Sequence, residues 1–271
     1  MKRTNKWGTV YLAIVLIILY LPILYLVYYS FSSGKTMEHF GHFSLSHYQA
    51  LLTDSRMIVI VINTIVIALL SSLVATIIGT LGAVVISDVK SAKARHAILS
   101  LNNVLMVAPD VLIGASFLIF FTVLGFRLGF WSVLLSHIAF SIPIVVLMVL
   151  PRLNDLSPSL VDAALDLGAS RFQAFSRVVI PAITPGIMAG FFMALTYSLD
   201  DFAVTFFVTG NGFSTLSVEI YSRARQGIDL EINALSTLMF GASICLVMGY
   251  YLISRHNAGH PDSMMKEGGV Q

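Results

Sequence analysis

A chain of 271 residues that is 57% hydrophobic and only 11% charged falls outside soluble globular composition and inside the polytopic membrane class, which excludes a water-soluble enzyme. Its formal net charge of +2 says little until the basic residues are placed along the chain. The one cysteine, Cys245, excludes an intrachain disulfide and a cysteine-based metal cluster, and its apolar surroundings predict a buried packing thiol.

Crossing roughly 30 Å of hydrocarbon takes about 20 apolar residues, and six runs meet that length: about 9–31, 57–87, 98–124, 130–151, 186–207 and 233–254. They predict an all-α, multi-pass membrane protein with a single transmembrane domain over 1–271. The first run follows Lys2, Arg3 and Lys6 and has no small-residue cleavage site, so it reads as a retained span rather than a signal peptide. With that end inside, Lys90, Lys93, Arg95, Arg152, Arg171, Arg177, Arg255 and Lys266 also fall on the cytosolic side. Eleven of the sixteen basic residues then lie inside, the expected bias for two cytosolic termini.

The first outer segment, 32–56, carries His39, His42 and His47, whose irregular spacing reads as solvated loop histidines rather than a metal cluster. Gly34, Lys35 and Thr36 spell the end of a phosphate-binding loop, but Tyr29 stands where the earlier glycine belongs. That leaves the chain without an ATP site of its own. Trp7, Trp131 and the group Tyr25, Tyr28 and Tyr29 lie near span ends as interfacial anchors. Ala75, Gly79 and Ala83 in the second span and Gly186, Gly190, Ala194 and Ser198 in the fifth make flat ridges for close helix packing. Pro22, Pro109 and Pro143 predict kinks, and His137 in the fourth span reads as a hydrogen-bonded core residue.

Between the fourth and fifth spans lies one long polar stretch on the basic side. Ser157 and Pro158 make an N-cap and N1 pair; Leu160, Ala163, Ala164 and Leu167 follow as one apolar stripe, and Gly168 ends the helix. Ser170 with Gln173 reads as a capping box for a second short helix with Phe172, Phe175 and Val179 on its apolar face and Pro181 and Pro185 as stops. Two amphipathic helices joined at a glycine form a knuckle, suited either to a groove on a soluble partner or to the lipid headgroup layer.

Three acids stand inside predicted spans: Asp110 in the third, Asp200 and Asp201 in the fifth, each costing about 2.5 to 3.5 kcal/mol at a helix centre. Counted along straight helices from the cytosolic ends, Asp110 lies roughly 18 Å and Asp200 roughly 21 Å deep, close enough in level to line one cavity. Neighbouring helix residues point about 100° apart, so at most one of Asp200 and Asp201 faces the same passage. Tyr197, at i−3 and i−4 from the pair, is placed to assist either and to offer a ring face to a cation. Structural acceptors are the alternative reading. In the last outer segment, 208–232, Glu219, Asp229 and Glu231 extend the negative field to the mouth, with Arg223 and Arg225 as contacts for an outside partner. The tail from His256 to Gln271 is polar and is expected to be disordered.

Asp162, Ala163, Ala164, Gly168, Val178, Ile180 and Pro181 fall on the spacing of the signature of binding-protein-dependent ABC importer permeases, with Asp for the usual Glu, Val for Ile and Ile for Leu. The strings Ala108-Pro109-Asp110, Leu128-Gly129-Phe130-Trp131-Ser132, Asp166-Leu167-Gly168-Ala169-Ser170, Leu199-Asp200-Asp201 and Phe207-Val208-Thr209-Gly210 resemble the branch that imports spermidine and putrescine. The resemblance implies a type I importer permease fold in which the knuckle, with Arg171, is the coupling helix docking on an ATPase. It further implies a second permease subunit, two ATPase subunits holding ATP and magnesium, and an extracytoplasmic polyamine-binding protein, with membrane lipids around the chain and no nucleic acid. Competing readings are an ABC permease for ferric ion or an organic phosphonate, a proton-coupled secondary transporter, and a membrane scaffold or insertase.

Overall fold

A computed structural model describes residues 6–34, 36–226 and 230–258. Among them, five helices are long and apolar enough to cross a membrane, and one sharply bent pair meets the same test together, giving up to six crossings. The order is α1 (Lys6–Ser30), α2 (Ser46–Thr53), α3 (Ser55–Ser87), α4 (Ala92–Val107), α5 (Asp110–Val123), α6 (Phe130–Asp155), α7 (Pro158–Asp166), α8 (Arg171–Ala174), a π-helical turn at Phe175–Val179, α9 (Ile180–Asp200), α10 (Ala203–Val208), α11 (Leu216–Gln226) and α12 (Leu230–Ala258). Besides helix, the described backbone holds an isolated antiparallel bridge pairing Ser32 with Phe43. The expected disordered tail lies mostly outside the described residues; its first three positions continue α12.

Two of the expected spans are broken rather than kinked. The third divides into α4 and α5, which meet at 101°. Pro109 has no N–H to continue α4 and pushes Ala108 out of the helical region, so both residues are extended, with ψ of 140° and 131°. A straight-rod depth for Asp110 therefore does not apply, and Asp110 is instead the first residue of α5. The fifth span begins and ends earlier than the apolar run implied, since α9 stops at Asp200 and Asp201 turns extended with ψ of 119°.

Pro181 and Pro185 do not stop the second knuckle helix as expected. Arg171 to Asp200 is one 30-residue helical run, because the chain widens into the π turn just ahead of Pro181. There the Ile180 N–H reaches back five residues to the Phe175 carbonyl, making room for the proline ring at the next position.

The chain falls into two compact units. In the unit built from Met1–Val59 and Glu219–Tyr251, the Tyr28 ring stacks on Phe40 at 4.4 Å and Tyr29 packs against Tyr25 and Tyr28; Tyr29 is buried rather than an interfacial anchor. Trp7 is exposed. Cys245, expected to be buried, lies on the exposed face of α12, so an apolar run did not mean an inward-facing side chain.

In the unit built from Ile60–Val218 and Leu252–Gln271, α6 is the hub. Val133, Val145 and Val149 along it are completely buried. One core cluster joins Ile67, Ile113, Phe121, Phe140, Val204 and Val208 near the two helix breaks, and another joins Ala83, Val145, Val149, Leu150, Ile183 and Ala194 nearer the knuckle. Both small-residue ridges serve this packing. A Cβ on Gly79 would lie 2.7 Å from the Val145 Cβ, and one on Gly190 would lie 3.2 Å from the Val145 Cγ1, so the two glycines hold one valine between them. A Cβ on Gly186 would stand 2.9 Å from the Met148 carbonyl oxygen, which belongs to backbone and cannot move aside. Gly79→Ala and Gly186→Ala are each expected to destabilise the protein by about 1 to 3 kcal/mol in detergent unfolding. Gly82→Ala, which meets only Val146 Cγ2 at 3.8 Å, stays within about 0.5 kcal/mol of the parent.

Candidate functional site

Asp110 opens α5, where the unpaired N–H groups and the positive end of the helix dipole favour a carboxylate. It is exposed, and its Oδ1 accepts a hydrogen bond from the Tyr197 hydroxyl at 3.0 Å. Tyr197 therefore serves Asp110, on a different span, and not the neighbouring acids to which its spacing assigned it. Its ring also packs edge-on against Phe140 at 4.9 Å. One contact brings the break in the third span against the last turn of α9.

Asp200 and Asp201 do separate, one exposed and one buried, but because the helix ends between them and not through the angle between successive helix residues. The backbone turns at Asp201, and its carboxylate becomes the cap of α10, accepting from the N–H groups of Val204 at 3.3 Å and Thr205 at 2.8 Å and from the Thr205 hydroxyl at 2.7 Å. His137, completely buried on α6, bridges the break: Nδ1 lies 2.6 Å from the Ser198 hydroxyl and Nε2 lies 2.8 Å from the Thr205 hydroxyl. Ser198 in turn meets Ser71 of α3 at 3.0 Å, and the Ser217 hydroxyl donates to the Asp201 carbonyl at 2.6 Å. His137 is the hydrogen-bonded core residue expected of it. Its partners are 61 and 68 residues away, so nothing local announced them; the four-residue step from Asp201 to Thr205 was the one readable hint.

Asp200 stands exposed at the carboxyl end of α9, where the final carbonyls add partial negative charge. This is the costly end of a helix for an anion and the favourable end for a cation.

Glu219 is not a solvated mouth residue. It is buried, accepting from Arg56 at 2.9 Å and from Arg223 at 2.8 Å. Arg223 also meets Glu231 at 3.0 Å and Asp54 at 3.6 Å, which places it inside an intramolecular network instead of free for an outside partner. Burial would lower the Arg223 pKa, but the bonds and charges of Glu219 and Glu231 outweigh it and raise the group above its ordinary value. Asp229 lies outside the described residues. The Arg225 guanidinium sits 5.9 Å from the Tyr221 ring centroid.

The knuckle forms largely as its sequence dictates. Ser157 precedes Pro158 at the start of α7, and Gly168 turns left-handed at φ +86°, with the Ala169 N–H bonding the Ala164 carbonyl as in a glycine-terminated helix. The Ser170 hydroxyl and the Gln173 side chain exchange bonds with each other's backbone at 3.3 and 2.8 Å, completing the capping box. The apolar face divides. Leu167 and Phe172 are 88% and 77% exposed, whereas Val161, Leu165 and Phe175 turn towards a cleft of about 620 Å³ lined also by Asp162, Arg171 and the ends of α3 and α6. Ala163, Gly168 and Pro181 are exposed and Ala164 half-buried.

Residues 75–256 match the family described as the binding-protein-dependent transport system inner membrane component. The chain belongs to this family. The permease is 33% identical over 237 residues to the spermidine/putrescine transport system permease protein PotC of Escherichia coli strain K12, covering 88% of this chain and 89% of that one. It is 34% identical over 259 residues to the putrescine transport system permease protein PotI of the same strain, covering 93% and 92%. Among solved structures, a bacterial ABC transporter involved in the import of the acidic polysaccharide alginate superposes with a TM-score of 0.71 at 19% identity over 92% of this chain and 94% of that one. The MetNI methionine ABC transporter gives 0.62 at 16% identity over 75% and 99%. The fold is thus that of ABC importer permeases, and the matched family region contains the knuckle and all three intramembrane acids.

Removing the Arg223 head group leaves a buried carboxylate with Arg56 as its remaining partner. Arg223→Met is expected to cost about 2 kcal/mol, measured as detergent unfolding, with Arg223→Lys intermediate because one ammonium cannot serve three carboxylates.

Proposed function

We propose that this chain is the permease subunit of an ATP-driven polyamine importer, forming half of the pathway for spermidine or putrescine. The near full-length similarity to PotC and PotI carries the reading. The site chemistry agrees with it: polyamines are multivalent cations, and Asp110 and Asp200 offer exposed carboxylates near the two helix breaks, Asp200 reinforced by the negative end of α9. Tyr197 holds Asp110 and presents an aromatic ring beside it. Asp201 acts as the support of this arrangement, and Glu219 acts by anchoring α11.

The energy source lies in other subunits. ATP and magnesium bind PotA-like ATPases, a pair of which sits beneath this chain and a PotB-like second permease, while a PotD-like binding protein delivers the polyamine from outside. Both termini face the cytosol, so the exposed Leu167 and Phe172 meet the ATPase, with Asp162 and Arg171 on the lip of the neighbouring cleft.

Uptake of labelled spermidine into vesicles holding the assembled complex is expected only with internal ATP; equal uptake driven by a proton gradient alone would establish a secondary carrier. Ferric ion or an organic phosphonate, offered with its own binding protein, is expected to leave ATP hydrolysis unstimulated. In Asp200→Asn, uptake falls about tenfold at unchanged membrane abundance, the scale of losing one charge-assisted contact. Gly168→Leu meets no neighbour, since a Cβ there has open space, but it strains a left-handed position by about 1 to 2 kcal/mol. ATP hydrolysis in that variant is expected to continue while uptake drops; full uptake removes the docking role from the knuckle.

A further inference from the structure

We propose that His137 is a positioning residue for transport: its imidazole is the strut across the α9–α10 break that fixes where the Asp200 carboxylate stands. The inference rests on Asp200 facing the cation route.

The hydrogen bonds run in one direction. Asp201 is an acceptor from three donors, and the Thr205 hydroxyl has one hydrogen, which it gives to Asp201 Oδ2 at 2.7 Å. Thr205 must then accept from His137, so Nε2 carries a hydrogen. On the other side of the ring, Ser198 is the last-turn residue of α9 that meets Nδ1 at 2.6 Å. A single planar side chain therefore grips the end of one helix and the first turn of the next, with the break at Asp201 and Phe202 between them.

His137, Ser198 and Thr205 are buried, and the Phe140 ring closes another side of the imidazole at 4.9 Å. Asp201 Oδ2 is the facing charge, 3.5 Å from Nε2. Helix α10 is itself wedged: a Cβ on Gly114 would stand 2.8 Å from the Phe207 ring and 3.0 Å from the Val204 Cα, so α10 lies directly on α5. The ring sets the angle of α9 against an α10 that is already held. Asp200, one residue before the break, moves with that angle, and an anion that acts at a distance of a few ångströms loses its effect when displaced.

The decisive quantity is polyamine carried per ATP hydrolysed by the assembled complex in vesicles. A packing defect lowers the amount of complex, whereas a misplaced Asp200 lowers the yield of each cycle. His137→Ala and Thr205→Val are expected to reduce the ratio about tenfold, while Thr205→Ser, which keeps the hydroxyl, stays within about twofold of the parent. Should His137→Ala fail to assemble, the Thr205 pair decides alone. An unchanged ratio in Thr205→Val, or equal losses in Thr205→Val and Thr205→Ser, overturns the proposal. Asp200→Asn measured alongside separates the two levels of argument: a loss there with none in Thr205→Val removes the strut and leaves the cation route standing, and no loss there removes both.

Discussion

A carboxylate placed among apolar helices must find its donors inside the chain, because no solvent reaches it, and Asp201 finds them by ending one helix and starting another. The break that frees the last carbonyls of α9 also creates the first N–H groups of α10, and the carboxylate occupies that new positive end. Asp110, though exposed, also stands at a helix start, the first residue of α5, with the Tyr197 hydroxyl as its donor. Acids that look expensive when counted inside a continuous span are thus two helix N-termini in disguise. The same breaks bring distant strings together: Ser132 donates to the Val208 carbonyl at 2.7 Å, and Gly210, at φ +65°, lies so near Leu128 that a Cβ would stand 2.7 Å from its Cβ.

What was legible in the sequence was what depends on neighbours a turn away. The apolar runs, the proline opening α7, the glycine stop at Gly168, the Ser170–Gln173 box and the small-residue ridges all have local causes, and each appears where those causes place it; Ser157 stands at the start of α7, but its hydroxyl meets Ser159 at 2.7 Å instead of capping the helix. The breaks at Pro109 and Asp201 were misread as kinks and mid-helix acids, because hydropathy continues smoothly across them; whether a proline bends or ends a helix is decided by the packing on either side. Pro181 shows the opposite error. There the π turn at Phe175–Val179 absorbs the missing hydrogen bond, and no local pattern announces such a turn.

The candidate site was legible in its composition and not in its pairings. The acids and Tyr197 stood out as polar residues in apolar runs, but the Tyr197 bond crosses 87 positions and that of Glu219 to Arg56 crosses 163. Charge pairing over such separations is a property of the folded chain alone. It is also why Glu219 and Arg223, read separately as a mouth acid and a docking base, turn out to neutralise each other.

The knuckle and Asp200 are the two ends of one object. From Arg171 to Asp200 the chain is a single helical run of 30 residues, roughly 45 Å long at helical rise. A rod of that kind does not shorten or bend smoothly under a small load, because each turn is closed by its own hydrogen bonds. Displacement imposed at the Ser170 cap must reappear at Asp200 unless it is absorbed at the π turn or at Pro185, the places where the ladder is already interrupted. Beyond the π turn, Gly186 and Gly190 pack closely on α6 against Met148 and Val145, so the seam with α6 fixes the line along which the rod runs. Its far end is held by Ser198, which meets both Ser71 and His137, just before the chain turns at Asp201.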